Sequence, residues 1–551
     1  MNMPAACPHR SGVRRTRFPV RLFPHAALAR LGRTVLTVVL GVLLMQGCAS
    51  IGRSHHPRAE AVAARPSDTL SMWGGQDVLG DGESALRPLA TGAYAWDARM
   101  TIIQQAQRTL DVQYYLLKDD GSGRAFLRAL RDAAGRGVRV RLLVDDLYTI
   151  SEDALLANFA AIENVEVRLF NPFPMGRSTH VTRWGLSLFD VARLNHRMHN
   201  KLMIADGAMA IVGGRNIADE YFLRSTDGNF IDFDLLIAGA AVPELAAAFD
   251  AYWNSPRVFD VSELEPGLPD EMARRIAFDV STKEFAAAAP GLAPSERDLL
   301  GYGPLSGDIG HPPLKMVRAR IQVFADDPEK VSGQAESGAD STTVTSQVLD
   351  AINRAREDLL LVSPYFVPGK LGMENIGRGR QQGVAVTLVT NSLAANDEPY
   401  VSAAFARYRK PLLKMGVQVH EVSPEVLDAG KDRRPRHLAT TSGRLHVKGA
   451  VIDRRWTFVG SMNMDFRSSR VNTEIGVLVD SPEFAADVAG LIDRLHAMGM
   501  YRLRLSPETQ DIEWVEHRDG KEVVHVDEPG VDWVTRLKIF TLFPFISETL
   551  L

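Results

Sequence analysis

One short pattern occurs twice in this chain, and it constrains the fold more than any other feature. His199-Asn-Lys201-Leu-Met-Ile-Ala-Asp206 and His446-Val-Lys448-Gly-Ala-Val-Ile-Asp453 both read H-x-K-x4-D. With 14 His, 12 Lys and 40 Asp in 551 residues, chance supplies about 0.02 such matches. The agreement also extends beyond the pattern. Val212-Gly213-Gly214-Arg215-Asn216 and Val459-Gly460-Ser461-Met462-Asn463 stand at identical offsets from their histidines. Upstream, Gly137-Val-Arg-Val-Arg-Leu-Leu143 and Gly383-Val-Ala-Val-Thr-Leu-Val389 precede the histidines by 62 and 63 residues. A repeat this long is a duplicated domain rather than a short-period solenoid.

Each copy alternates strand and helix patterns. In the first, the apolar runs Leu110–Leu116, Gly137–Val144 and Val165–Phe170 read as strands, with helical spacing over 123–135 and about 153–162. The second repeats the order with Leu359–Tyr365, Gly383–Val389, a helix around 400–414 and Val417–Val422. This order predicts an α/β fold: two duplicated lobes, each a mixed, mostly parallel sheet flanked by helices, related by a pseudo-twofold axis and sharing one active site. The lobes are expected at 96–255 and 316–500, with a Pro- and Gly-rich linker over 256–315 that holds one helix. A tether and cap occupy 48–95 and a C-terminal tail 501–551. The polar stretch 328–345 reads as a mobile loop.

Residues 1–47 carry seven arginines, no Asp or Glu, and the apolar run Val35–Met45. That is the pattern of an export signal, and the run is too short for a comfortable span of ~20 apolar residues. Of the two cysteines, Cys7 and Cys48, cleavage before Cys48 leaves one, which excludes an intrachain disulfide. Leu44-Met-Gln-Gly-Cys48 resembles a bacterial lipoprotein box, making Cys48 the expected lipid anchor of an envelope protein facing the periplasm. Taking seven positive charges from the net −4 leaves −11 on the remainder, which argues against nonspecific nucleic-acid binding.

Alternation along a strand turns i and i+2 to one side. His199 therefore shares a face with Lys201, and His446 with Lys448. Around one pocket the imidazoles supply a nucleophile and a proton donor, and the ammoniums stabilise phosphoryl oxygens. Asn216 and Asn463 are candidates to donate to the same oxygens. No His/Cys/Asp cluster has zinc-ligand spacing and no phosphate-binding Gly-x4-Gly-Lys loop is present, so neither a metal nor a cofactor is expected.

These motifs resemble the paired HKD motifs of the phospholipase D superfamily over nearly all of residues 96–500. The resemblance implies a two-step transfer in which His199 attacks phosphorus and His446 protonates the departing alcohol. It also implies that a carboxylate further along orients each histidine through Nδ1. Glu474 fills that place in the second half and Asp232 in the first, with Asp234 as its rival. Asp206 and Asp453 complete the catalytic motif, where bracing of local backbone is their expected task. Arg197–Lys201, Gly213–Phe222, Val165–Phe173 and Thr390–Ala394 are further similar to bacterial cardiolipin synthases of the C type. That likeness implies phosphatidylglycerol and phosphatidylethanolamine as substrates at a membrane surface. Ser402 stands where such enzymes lead one to expect a histidine, which leaves the acceptor preference open. The rival readings are hydrolysis of phospholipid to phosphatidic acid, a nuclease of the same chemistry, and a non-catalytic lipid-binding scaffold.

Overall fold

The computed structural model describes residues 56–536 except positions 76–78, 151, 175, 178, 186, 188, 189, 265–267, 286–293, 309–311, 333–341, 428–441, 519 and 535. The expected export signal and Cys48 lie outside the described residues, as does the chain beyond 536.

The first copy builds its sheet from strands β1 (Ser84–Leu89), β2 (Thr109–Tyr114), β3 (Arg139–Asp145), β4 (Val165–Phe170), β5 (Lys201–Ala205), β6 (Met209–Gly213), β8 (Asp234–Gly239) and β9 (Val258–Asp260), with β7 (Gly228–Ile231) standing apart. β2, β3 and β4 pair in parallel. β5 joins β2 antiparallel, and β6, β8 and β1 follow antiparallel beyond it. Every residue of β2 is buried, as expected of a strand covered on both faces. The amphipathic helix Gly121–Gly135 supplies part of that cover, its first turn closed by Asp120 accepting from the Gly123 amide at 2.9 Å. Gly137, which turns the chain from that helix into β3, has φ +92°; its counterpart Gly383 has the same value. Only glycine adopts that backbone freely, so the two copies keep one glycine at one turn.

The second copy repeats the plan with β10 (Val317–Ala325), β11 (Asp358–Val362), β12 (Ala385–Asn391), β13 (Gln418–Val422), β15 (Gly449–Ile452), β16 (Trp456–Gly460) and β17 (Ile475–Asp480). β11, β12 and β13 are parallel, and β15 joins β11 antiparallel. Helix Pro482–Gly499 follows β17, as helix Ala241–Trp253 follows β8. The lobes share a core in which Val212, Leu235 and Ile237 of the first pack with Val459, Ile475 and Val477 of the second. Each such side chain contributes about 1.5–3 kcal/mol by burial, so the lobes fold as one body.

The periphery departs from expectation. The cap contributes β1, which pairs with β8 on one side and β10 on the other and so joins both sheets. The linker carries β9 and the helix Glu271–Thr282, whose Phe278 packs on Phe159 at 5.3 Å. The tail extends the second sheet through β18 (Met500–Leu505), β19 (Ile512–Arg518) and β20 (Lys521–His525). Within the expected mobile loop, Pro328–Ser332 forms a 3-10 turn with Val331 buried, and a helix begins at Val344. The linker helix stands where one was expected; the added strands were hidden because their apolar residues are spaced by contact with distant strands rather than by a local period.

Candidate active site

Two cross-lobe pairings build the site. β7 of the first lobe runs parallel to β14 (Ser442–Leu445) of the second, with Leu445 opposite Ile231, and the His446 amide donates to the Ile231 carbonyl at 2.7 Å. The mirror arrangement sets Met198 opposite Thr473, and the His199 amide donates to the Thr473 carbonyl at 2.9 Å. The residue after Ile231 is Asp232, and the residue after Thr473 is Glu474. Each histidine backbone is thus tied to the residue that precedes a carboxylate of the other lobe.

The side chains follow. His199 Nδ1 lies 2.9 and 3.1 Å from the two Glu474 oxygens, and His446 Nδ1 lies 2.6 Å from Asp232 Oδ2. The carboxylates therefore serve the histidine of the opposite half, which no reading along one half reveals. A carboxylate only accepts, so Nδ1 carries the proton and Nε2 keeps its lone pair. Asp234, the rival, is excluded. Gly213 pairs with Asp234 as Gly460 pairs with Gly476, so Asp232 is the counterpart of Glu474. Asp234 is instead held by Arg99 and Arg215 at 3.0 and 3.2 Å.

Lys201 and Lys448 are each 1% exposed. Each ammonium donates to the carbonyl of its own motif histidine at 2.6 Å, the same-face relation expected of i and i+2. Val447, between His446 and Lys448, faces the other way into an apolar cavity of about 70 Å3 lined also by Ile231, Val451, Val488 and Leu491. Burial lowers the lysines, Lys201 to about 7 and Lys448 to about 8, with Glu474 and Asp232 respectively the chief opposing charges. Burial also brings His199 down to about 4 against the pull of Glu474, and pushes His446 well below its ordinary value, aided by Lys448. Lys201 and His199 both act on His446, and Lys448 acts on His199. The four groups form one electrostatic unit, in which burial and the ammoniums hold both imidazoles toward the neutral form until an anion enters.

The remaining predicted residues divide. Asp206 takes no part in the pocket: its oxygens accept from the Gln107, Arg108 and Thr109 amides at 2.9, 2.7 and 2.9 Å. Asp453 does the same for Arg356, Glu357 and Asp358 at 3.0, 2.8 and 3.1 Å. Both sit at positive φ, 54° and 49°, a backbone that Asp tolerates better than most residues. They brace the hairpin after each H-x-K strand and do not touch the imidazoles. Asn216 spends its amide on Tyr221, donating at 2.8 Å, while Asn463 Oδ1 is buried without a partner among the described residues.

Several neighbours went unforeseen. Ser461 and Ser468 donate to the two Glu474 oxygens at 2.5 and 2.8 Å. Asp326 accepts from the Glu474 amide at 2.9 Å and is itself paired with Lys330 at 2.7 Å. Tyr115 meets the His199 ring edge-on at 4.8 Å, and Tyr221 and Phe230 stand 5.2 and 4.9 Å from the His446 ring. Ser461 carried a signal: it breaks the otherwise matching Gly213-Gly214 and Gly460-Ser461 pair.

Two H-x-K segments, crossed carboxylate–imidazole pairs and two buried ammoniums that act on both imidazoles make up a phospholipase D-type site. The comparisons narrow the class. The profile of the family described as "Cardiolipin synthase, PLD-like domain" matches residues 100–253 and 348–496, and the chain belongs to that family. It is 35% identical over 469 residues to cardiolipin synthase C of Escherichia coli (strain K12), covering 83% of this chain and 94% of the relative. An uncharacterized protein of Helicobacter pylori (strain J99) is 30% identical over 515 residues, covering 91% of this chain and 97% of its own. Among solved structures, phosphatidylserine synthase of Haemophilus influenzae Rd KW20 matches in fold with TM-score 0.50 and 12% identity, covering 86% of this chain and 95% of that one.

Proposed function

We propose that this protein is a cardiolipin synthase working through a phosphohistidine. His199 Nε2 attacks the phosphorus of a phosphatidyl donor, forming a P–N bond as the P–O bond to the headgroup breaks. The leaving oxygen takes a proton from Nε2 of His446, which enters this step as the imidazolium, its second proton taken up with the anionic phosphodiester while Nδ1–H stays on Asp232. The hydroxyl of an acceptor phosphatidylglycerol then returns a proton to His446 as its oxygen displaces His199, and the P–N bond breaks. Lys201 and Lys448 hold the phosphoryl oxygens throughout, where low dielectric makes an ammonium most effective. Phosphatidylglycerol or phosphatidylethanolamine serves as donor.

The observation that carries this reading is the pair of buried imidazoles, each with Nδ1 committed to a carboxylate and each within the field of the same two ammoniums. The first imidazole is the better nucleophile. Glu474 stays ionised despite burial because His199, Lys201 and Ser461 outweigh it, whereas burial raises Asp232. A firmly charged carboxylate stabilises the positive ring that the phosphohistidine requires. The 35% identical relative is named for this activity. Transfer rather than hydrolysis is favoured by exclusion of water, and His199 and His446 are 7% and 5% exposed. The N-terminal lipoprotein-like signal and Cys48 complete the proposal by keeping the enzyme at the membrane that holds its substrate. Among the described residues no helix is long and apolar enough to cross a membrane.

The test is lipid extraction after incubating the full-length protein with labelled phosphatidylglycerol vesicles, with and without phosphatidylethanolamine. The expected product is cardiolipin, and His199→Ala or His446→Ala lowers its rate by about a thousandfold or more. Phosphatidic acid as the sole product would assign hydrolysis instead, and full turnover in either variant would end the proposal.

A further inference from the structure

The two histidines differ in what the surrounding loops bring to them. Both rings have aromatic neighbours, Tyr115 backed by Tyr148 at 5.3 Å beside His199 and Tyr221 with Phe230 beside His446. Beside His446 the second lobe brings a carboxylate. Asn391, at the end of β12, clamps the residue before His446: the Leu445 amide donates to Asn391 Oδ1 at 2.7 Å, and Asn391 Nδ2 donates to the Leu445 carbonyl at 2.8 Å. Six residues on, the chain reaches Asp397. The turn there is held by Asn396, which donates to Ser402 Oγ at 2.7 Å and accepts from the Glu398 amide at 2.9 Å. Tyr365 donates its hydroxyl to Asp397 Oδ2 at 2.7 Å. β11 pairs with β15 with Val362 opposite Gly449, so the residues just past Val362 run alongside Lys448 and His446.

The other oxygen is the informative one. Asp397 Oδ1 is buried and has no hydrogen-bond partner among the described residues. A buried carboxylate oxygen without a donor is costly and rare, and it asks for a donor that arrives with the substrate. The charge is also within reach of the chemistry. Burial lowers His446 and Lys448, and Asp397 opposes that fall in both.

We propose that Asp397 is an acceptor-binding residue whose Oδ1 receives the hydroxyl or ammonium on the carbon next to the reacting CH2–OH. A glycerol headgroup carries such a donor as a hydroxyl, and an ethanolamine headgroup carries it as an ammonium. A plain primary alcohol has none. An alcohol of the first kind bridges the pocket, its reacting oxygen on His446 Nε2 and its second donor on Asp397. Water is too short to make both contacts, so Asp397 biases the second step toward transfer. This inference rests on the transfer reading above.

The experiment uses the full-length protein in detergent micelles with phosphatidylglycerol as donor, and glycerol, ethanolamine and 1-propanol as competing soluble acceptors. The quantity read is the ratio of kcat/KM for glycerol or ethanolamine to that for propanol, in which any common loss of activity cancels. Asp397→Asn is expected to lower at least one ratio by about tenfold or more, as loss of a hydrogen bond to a charged group does. The ratio that falls identifies the donor as hydroxyl or ammonium. Tyr365→Phe moves the same ratio by less. Ratios unchanged in Asp397→Asn, with transfer intact in the unmodified enzyme, overturn this inference alone. An unmodified enzyme that yields only phosphatidic acid overturns it together with the transfer reading.

Discussion

His199 and His446 occupy equivalent places in a duplicated chain, yet their supports differ. Glu474 reaches His199 with a longer side chain and is held by two serine hydroxyls and by Asp326 through its amide. Asp232 reaches His446 beside Gly214, where a Cβ would come within 2.1 Å of Asp232 Oδ1. The position that carries Ser468 in the second copy carries Tyr221 in the first, where it packs on the His446 ring at 5.2 Å. The first pair therefore has a carboxylate stabilised in its charged form, and the second has one that accepts from the Phe233 amide at 2.7 Å yet is raised by burial. A symmetric frame makes one pocket from two lobes. In the proposed mechanism the departures from symmetry let one imidazole attack while the other handles protons.

The largest expected effect separates those two tasks. A phosphatidyl donor whose leaving group is p-nitrophenol leaves without a proton, so it removes the need for His446 in the first step. With this substrate, His446→Ala and Asp232→Asn should recover release of p-nitrophenol to within about tenfold of the unmodified enzyme. His199→Ala and Glu474→Gln should stay down by about a hundredfold or more. Stopped-flow absorbance measures the release. Recovery of the His199 and Glu474 variants in place of the others would exchange the assigned tasks.

A smaller effect tests the shared charge. Lys201 and Lys448 sit near 7 and 8 because of burial, and His199 near 4. Loss of a lysine proton removes the charge that meets phosphate, so the fall of kcat/KM with rising pH, begun as His446 loses the Nε2 proton it donates, should steepen through about 7 to 8. It should also fall below about pH 4 as His199 takes a proton. Bound phosphodiester favours the ammonium form, so the alkaline limb of kcat should lie higher than that of kcat/KM. Lys201→Arg, which stays charged, should flatten the alkaline limb while lowering the maximum. An alkaline limb unchanged by this substitution would break the link between lysine charge and activity.

Much of this was legible along the chain. The duplication and the H-x-K faces followed from spacing and alternation, because those relations are local to a strand, whereas the orienting carboxylates came from the resemblance to the phospholipase D superfamily, with Asp234 left as a rival to Asp232. What was hidden is what crosses from lobe to lobe. The exchange of Glu474 and Asp232 depends on Thr473 and Ile231 meeting the strands that lead into His199 and His446, contacts separated by more than 200 residues. Asp397 was equally silent, since its meaning comes from Tyr365 and from the clamp of Asn391 on Leu445. β1 escaped notice because a strand that bridges two sheets has neighbours from both lobes and no local partner.

The smallest expected effect concerns the motif aspartates, which are equivalent by sequence and unequal by surroundings. Asp206 is fully buried and Asp453 only partly so, though each holds three backbone amides. Replacing Asp206 by alanine strands those amides where water has little access, costing about 2–3 kcal/mol, whereas at Asp453 solvent takes over part of the load and the cost is about 1 kcal/mol. Urea unfolding reads the difference, with transfer activity measured well below the unfolding midpoint. Stability should fall in both variants, more in the first, while activity per folded molecule changes by less than about tenfold. If Asp206→Ala instead kept its midpoint and lost its activity, the motif carboxylate would belong to the chemistry rather than to the hairpin that carries it.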